Sequence, residues 1–590
     1  MRIVSLLTAA LIALPTFAQK DPPPNVVIFF VDDMGWSDNT LFGTEGFYET
    51  PNMQRLAAQG VLFSDAYASA PVCTPTRIGL ATGVNPARTH ITNWTPGSTY
   101  NDQSHLREPD WDRTMNASEV TLGEAMSASG YHTAHIGKWH LGTSGHASAD
   151  PLKNGFHINI GGSHKGSPPG GFFAGNDGGW SAPGLDTGTY DADDYLTNVL
   201  TDHAVDYIAG HANAPFFLEF NPYAVHAPIQ APADLVAHYQ DKLDNADPGQ
   251  YQYHNNPTYA AMIHTMDASL GRVMDALENT TDAEGNALMD NTIIVFSTDH
   301  GGLVNVQGGT GPTPPTHSFP LAGGKGSGAE GGLRVPTIVS WVGNSDIQQG
   351  VISDSLVVTH DIYSTVSDLT GVTGNAAHNQ RMDSISFRSA LEGDEGQRNT
   401  IYWHYPHISD QAGVGNVRNG RFFSAMRHGD WKLIYHYEDQ SWELYDLAAD
   451  IDESDNLATD NPGMTTALGA MLADWLVEVG AQMPIDSRNG QAVPLPQTTG
   501  NGLGDVNLDG FVDTKDLDVL VANWGDETRL FEWSAGELTG DGVIDQLDLD
   551  VVLTNWSDGN PPDVNIPEPA SAMGMTGMML MLMRRTAQRR

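Results

Sequence analysis

Four apolar runs rich in β-branched and aromatic residues mark the chain up to Trp341: Val26 to Val31, Phe216 to Phe220, Thr292 to Ser297 and Thr337 to Trp341. They do not alternate with polar residues, so each reads as a strand buried on both faces. Between them the apolar positions change period. Leu196, Val199, Leu200, His203, Ala204, Tyr207 and Ile208 follow a helical repeat closed by Gly210. Tyr259, Met262, Ile263, Met266, Leu270, Val273, Met274 and Leu277 form a second amphipathic stripe. Thr121 and Glu124 have the spacing of a capping box, ending at Gly130, and Thr50-Pro51 with Gly60 brackets another helix. Buried strands alternating with amphipathic helices predict an α/β sheet covered on both faces.

Beyond about residue 400 the pattern shifts. Residues 421–427 and 431–437 flank His428-Gly429-Asp430 as a β-hairpin, and Leu468, Met471, Leu472, Trp475, Leu476 and Val479 give a further helix. Residues 401–483 therefore read as a smaller α+β subdomain, and the Pro/Gly/Gln/Thr-rich stretch 484–504 as a linker.

Residues 501–565 then hold 15 acids against Lys515 and Arg529, a local charge of −13. Asp505, Asn507, Asp509, Asp513 and Asp516 lie at alternating ligand positions around Gly510, and a second copy 32 residues on has Glu537, Thr539, Asp541, Asp545 and Asp548 around Gly542. Oxygen ligands spaced around a turn-permitting glycine suit a hard cation with six to eight ligands. The final position is Asp where an EF-hand has Glu. The paired loops, each leading into a short Leu/Val helix, resemble a type I dockerin module over 505–560, a small all-α calcium-loop unit.

Both ends read as addresses. Arg2, the apolar residues 3–14 and Thr16-Phe17-Ala18 have the form of a signal peptide over 1–18, which implies export to periplasm, cell surface or medium. Ile566-Pro567-Glu568-Pro569, a Met-rich run at 572–583 and the terminal arginines resemble an exosortase-type sorting tail over 566–590; the apolar run falls short of the about 20 residues of a bilayer span.

Charge narrows the function classes. Of 590 residues, 28 are Lys or Arg and 72 Asp or Glu, a net −44, which excludes a general nucleic-acid binder. Cys73 is the one cysteine, so no intramolecular disulfide forms.

Candidate chemistry gathers at strand ends. Asp32 and Asp33 directly follow Val26 to Val31, and Asp299 and His300 follow the run from Thr292. In open α/β sheets ligands bind at the carboxyl ends of strands, and acids that would repel one another call for a cation. Cys73 precedes a helical pattern, in Pro71-Val72-Cys73-Thr74-Pro75-Thr76-Arg77. It is either a buried free cysteine or a thiolate made acidic by the helix N-terminus and Arg77. A soft thiolate suits a hard-cation site poorly, and an oxygen nucleophile at position 73 would remove the conflict.

Cys73-Thr74-Pro75-Thr76-Arg77 matches the C-x-P-x-R motif of the sulfatases, whose cysteine is oxidised to formylglycine by a formylglycine-generating enzyme; Thr76 stands where Ser is usual. The resemblance extends, in order, through PNVVIFFVDDMGWSD at Pro24 to Asp38, Gly137-Lys138-Trp139-His140-Leu141-Gly142, His226-Ala227-Pro228, STDHG at Ser297 to Gly301, Lys325 ahead of EGGLRVP, and ELYDL at Glu443 to Leu447. It implies an alkaline-phosphatase-like mixed sheet flanked by helices over 24–400. It also implies that Asp32, Asp33, Asp299, His300 and the modified Cys73 ligate a divalent ion. Calcium is the family's usual choice, but His300 stands where many members have Asn, which leaves magnesium or manganese open. By the same resemblance Arg77 holds the formylglycine hydrate, while Lys138, His140, His226 and Lys325 bind sulfate oxygens, one histidine protonating the leaving group. Neither lysine looks like a core residue: Lys138 follows a short strand and Lys325 a Gly-Gly pair in a loop expected to be flexible.

The implied activity is hydrolysis of sulfate esters, on a sulfated carbohydrate or aryl sulfate, with a glycan-degrading setting and a cohesin-like or cell-surface partner suggested by the terminal module. A phosphodiesterase or phosphonate hydrolase of the same superfamily, or a catalytically dead dockerin-bearing adhesion protein, are the alternatives.

Overall fold

A computed structural model describes residues 22–43, 45–97, 104–176, 179–185, 188–306, 313–409, 420–496, 506, 512–525 and 544–554. Its centre is an eight-stranded mixed sheet. In chain order the strands are β1 (Asn25–Val31), β2 (Gly60–Phe63), β3 (His132–Gly137), β4 (Ile158–Ile160), β5 (Phe216–Asn221), β6 (Thr292–Thr298), β7 (Thr337–Ser340) and β8 (Val351–Ser353). Across the sheet they run β8-β2-β7-β6-β1-β5-β3-β4. β1 pairs in parallel with β5 and β6, and β3 in parallel with β4 and β5, whereas β7 is antiparallel to both neighbours.

The continuous apolar runs have the expected cause. Val27, Phe29 and Val31 enter one hydrophobic cluster and Val26, Ile28 and Phe30 the other, so β1 supplies both cores by simple alternation. Helices α1 (Pro51–Ala58), α2 (Cys73–Thr82), α3 (Leu122–Ala128), α4 (Leu196–Gly210) and α5 (Pro257–Asn279) cover the two faces. The Thr121–Glu124 capping box forms as expected. At α1 the cap comes from elsewhere: Asp267 of α5 accepts the Asn52 and Met53 amides, while Thr50 bonds to Thr40.

A second, four-stranded antiparallel sheet follows: β9 (Thr400–Ile408), β10 (Arg421–His428), β11 (Trp431–His436) and β12 (Ser441–Asp446), with the hairpin where it was expected. Between the sheets lies the short α6 (Glu330–Leu333), and α7 (Pro462–Glu478) packs on the second sheet. The expected linker includes paired strands among its described residues. Ile485–Asp486 pairs with Gln491–Ala492 and with Leu106–Arg107, because a ribbon edge of the main body offers its backbone groups partners.

In the acidic terminal segment the described residues include α8 (Thr514–Ala522) and α9 (Gln546–Thr554). Asp516 accepts the Asp513 amide and Asp548 the Asp545 amide, so the sequence repeat recurs as equivalent caps. Asp505, Asn507, Asp509, Glu537, Thr539 and Asp541 lie outside the described residues, as do the signal-peptide and sorting-tail segments.

Candidate active site

Four adjacent strands, in the order β6-β1-β5-β3, deliver the site from their carboxyl ends. β1 gives Asp32 and Asp33, β6 gives Asp299 and His300, β3 gives Lys138 and His140, and the turn after β5 gives His226. Cys73 enters from the start of α2. Ligand atoms of Asp32, Asp33, Cys73 and His300 lie within 4.8 Å of one another, the group among the described residues that could hold a metal ion. Cys73 Sγ is 3.2 Å from His300 Nε2, which is also 3.3 Å from an oxygen of Asp33 and of Asp299.

Asp299 lies at the edge of that group, turned toward cations and amides. Its carboxylate accepts Arg77 Nε at 3.1 Å and the Asp33 amide at 3.2 Å. Lys138 Nζ grips both oxygens of Asp32 at 2.7 and 2.8 Å, and Lys325 Nζ lies 2.6 Å from Asp33. These contacts correct the sequence expectation for the lysines. Lys138 is 0% and Lys325 3% exposed, because only ammonium groups this close offset carboxylates buried so deeply. The Lys325 loop is tied as well: its amide reaches Gly302 O and that of Gly326 reaches Pro71 O.

Burial and charge act in opposition on each group. Burial pushes the Asp32 carboxyl well up, further than Lys138 draws it down. At Asp33 burial is outweighed by Lys325, His226 and His300, and at Asp299 by His300 and Arg77, which bring it to about 2. Burial opposes ionisation of Cys73, but Lys138, Lys325 and His300 hold the thiol well below its ordinary value. Inside a strongly acidic chain the site thus sets three cations, Arg77, Lys138 and Lys325, against three buried aspartates.

His140 donates from Nε2 to the Thr95 carbonyl at 2.7 Å, since a carbonyl can only accept; this fixes its tautomer, with Cys73 beside the ring. His226 is the most open member at 19% exposure, its Nε2 3.8 Å from Asp33. Burial lowers it to about 4 despite that carboxylate. Asp33 and His140 both adopt left-handed backbone, φ 62° and 56°, which non-glycine residues hold only when their surroundings enforce it.

Those surroundings include residues to which sequence reasoning gave no role. Tyr259 donates toward the Asp33 carbonyl and Asp38, and Asp38 caps the Gly35 amide. Asp38 closes the same motif as Asp32, which was the available signal; Tyr259 and Thr95 carried none. Gly166 lies so near the His140 ring that a Cβ there would come within 2.4 Å of it.

The donor set passes a test for a divalent cation. Asp33 Oδ2 is buried without a hydrogen bond, beside carboxylate oxygens and an imidazole. The thiol sulfur is the poor member, and an oxygen at position 73 would complete a hard-cation set.

Comparison with known proteins agrees with this geometry. The sulfatase family profile matches residues 24–372, and a profile for the C-terminal part of N-sulphoglucosamine sulphohydrolase matches residues 328–482. A sulfatase of Formosa agariphila is 30% identical over 563 residues, covering 83% of this chain and 96% of its own. Human N-acetylgalactosamine-6-sulfatase is 30% identical over 373 residues, 60% of this chain and 63% of that protein. The crystal structure of Ps i-CgsB in complex with k-i-k-neocarrahexaose superposes with a TM-score of 0.59 at 25% identity, over 77% of this chain and 93% of that one. PsFucS1 sulfatase from Pseudoalteromonas sp. shares the fold, with a TM-score of 0.56 at 23% identity over 78% and 92% of the two chains. Given its profile match and near-full-length relative, the chain belongs to the sulfatase family and is a sulfatase.

Proposed function

We propose that this sulfatase hydrolyses sulfate esters of carbohydrates, with formylglycine at position 73 and a divalent cation held by Asp32, Asp33, Asp299, His300 and residue 73. The observation that carries the reading is the convergence of Cys73 with Asp32, Asp33 and His300 inside a ring of Arg77, Lys138 and Lys325. The cation would supply Lewis-acid polarisation of the ester, calcium being preferred with magnesium or manganese open to the His300 nitrogen. The hydrated aldehyde would supply one hydroxyl to attack sulfur and a second to expel sulfate.

The chain's own groups do the rest. Arg77, anchored on Asp299 and the Lys138 carbonyl, fixes residue 73 at the start of α2. Lys138 and Lys325 each have ammonium protons beyond those spent on Asp32 and Asp33, which meet sulfate oxygens as charge grows. His140, with its tautomer set by Thr95, lies beside residue 73 as a proton acceptor. His226 stands nearest the opening, where an anionic ester lifts its proton affinity and lets it protonate the departing alcohol.

The carbohydrate class is supported by relatives: N-acetylgalactosamine-6-sulfatase by its name, and Ps i-CgsB by its oligosaccharide complex. The acidic repeat over 505–560, read as a calcium-binding dockerin-like module with a cohesin-like partner, and the terminal address segments fit an exported enzyme working on extracellular glycan. Sulfate release from a panel of defined sulfated oligosaccharides, set against matched aryl sulfate and aryl phosphate diesters, tests the reading. Activity confined to the phosphate diester would replace it with the phosphodiesterase alternative. Inactivity on every ester, with residue 73 correctly modified, would favour the adhesion protein.

A further inference from the structure

A second buried ion cluster lies behind the site, and it joins the two sheets. Glu330, at the start of α6, bonds Lys432 Nζ of β11 at 2.8 Å, and Lys432 lies 2.9 Å from Glu453. Glu453 closes the ring by accepting the Glu330 amide at 2.7 Å. The three side chains are at most 2% exposed. Tyr67 and Arg334 bond the other Glu330 oxygen, and Asp65 bridges Arg334 to Arg427 of β10. Glu453 also holds left-handed backbone, φ 52°, a region usually left to glycine. A structure that buries two carboxylates around one ammonium in a strained turn has a reason other than stability, since apolar packing would serve as well or better.

The position of Glu330 supplies that reason. It lies on the segment that carries Lys325, and that segment is stitched internally: Gly331 N to Ala322 O, Gly332 N to Ala329 O and Ala329 N to Ser327 Oγ. Its backbone is also joined to that of the site, by Gly301 N to Gly332 O, Lys325 N to Gly302 O and Gly326 N to Pro71 O. Gly301 approaches so closely that a Cβ there would lie 1.8 Å from Gly331 O. Displacing α6 therefore displaces Lys325 relative to Cys73 and His300.

We propose that Lys432 and Glu453 of the C-terminal subdomain are positioning residues that clamp Glu330 and thereby hold Lys325 in place for sulfate. This rests on the reading of Lys325 as a sulfate-binding group. Lys432→Met alone would leave the buried Glu453 carboxylate without its cation, so the test uses the charge-balanced pair Lys432→Met with Glu453→Gln, and separately Glu453→Gln, which keeps the Lys432–Glu330 bond. Each is made in the wild-type and in the Lys325→Ala background, and sulfate-ester kcat/KM and inhibition by inorganic sulfate are measured.

The expected result is a loss of about tenfold for the double change and about threefold for Glu453→Gln in wild type, and under twofold for either without Lys325, the non-additivity of groups acting as one unit. Inhibition by sulfate should weaken in parallel. Equal losses in both backgrounds overturn the proposal and leave a purely structural clasp, as does full activity in a folded double variant. If the double variant does not fold, the Glu453→Gln cycle decides by the same criterion. Near-normal turnover of Lys325→Ala by itself instead rejects the underlying role of Lys325, a separate outcome.

Discussion

Lys325→Ala probes catalysis and folding at once, and the structure gives both magnitudes. The ammonium sits 2.6 Å from Asp33, with side chains 4% and 2% exposed. Breaking a buried pair by removing one partner costs about 3–5 kcal/mol, because the remaining charge stays desolvated. Unfolding entropy of roughly 2.1 cal/mol/K per residue over residues 24–372 converts that to a Tm fall of about 4–7 °C. Losing one donor to developing charge should also lower kcat/KM by about a hundredfold or more. Lys138→Ala, which frees Asp32, should behave alike. The assay is scanning calorimetry with chelator and then with calcium, beside initial rates on a sulfate ester. Calcium should restore most of the Tm, since a cation can take over the stranded carboxylate, but not the rate. Unchanged Tm in chelator together with near-normal turnover would refute the reasoning and leave both lysines without a role in offsetting the carboxylates or in binding sulfate.

Three further outcomes can be checked directly. Mass analysis of the active protein should find the peptide spanning Cys73 to Arg77 without its thiol; Cys73→Ala should abolish turnover and Cys73→Ser cripple it, because one hydroxyl cannot regenerate the aldehyde. Burial, with Glu330 adding to it, lifts Glu453 from 4.5 to about 7 against the pull of Lys432. A raised carboxyl contributes stability that is present below its unfolded value and lost as pH rises through the folded one. Glu453→Gln should therefore gain on wild type in Tm between about pH 4.5 and 7 and hold that gain above, as calorimetry across pH would show; a gap independent of pH contradicts the burial of that charge. Finally, calcium should protect the region 505–554 of the full chain from limited proteolysis, and Asp516→Asn with Asp548→Asn should remove the protection; equal cleavage with and without calcium rejects the calcium-loop reading.

Much of the site was legible because its residues abut strands. A run such as Val26 to Val31 can be read from composition, and the residue after it necessarily lies at a strand end. Asp32, Asp33, Asp299 and His300 were found in that way, and Cys73 and Arg77 through their motif. The periodic helices and the β10–β11 hairpin were legible for the same reason, local pattern reporting local structure. The pairing of Ile485–Asp486 within the expected linker was not legible because its partner, Leu106–Arg107, lies hundreds of residues away in sequence. Exposure of the lysines was misjudged because a charged residue beside glycines has no local mark of burial.

By itself, then, the sequence determined which segments are strands and helices, which chemical groups stand at their ends, and the family motifs that join them. Only the tertiary structure decided the strand order β6-β1-β5-β3 that brings four ends together, and the pairing of each lysine with its carboxylate. It alone decided that Thr95 sets the His140 tautomer and that Lys432 reaches Glu330 across the two sheets. The division has one physical cause. Hydrophobic periodicity is a property of neighbours along the chain, whereas burial of a charge depends on partners brought near by folding, whose identity no local pattern encodes.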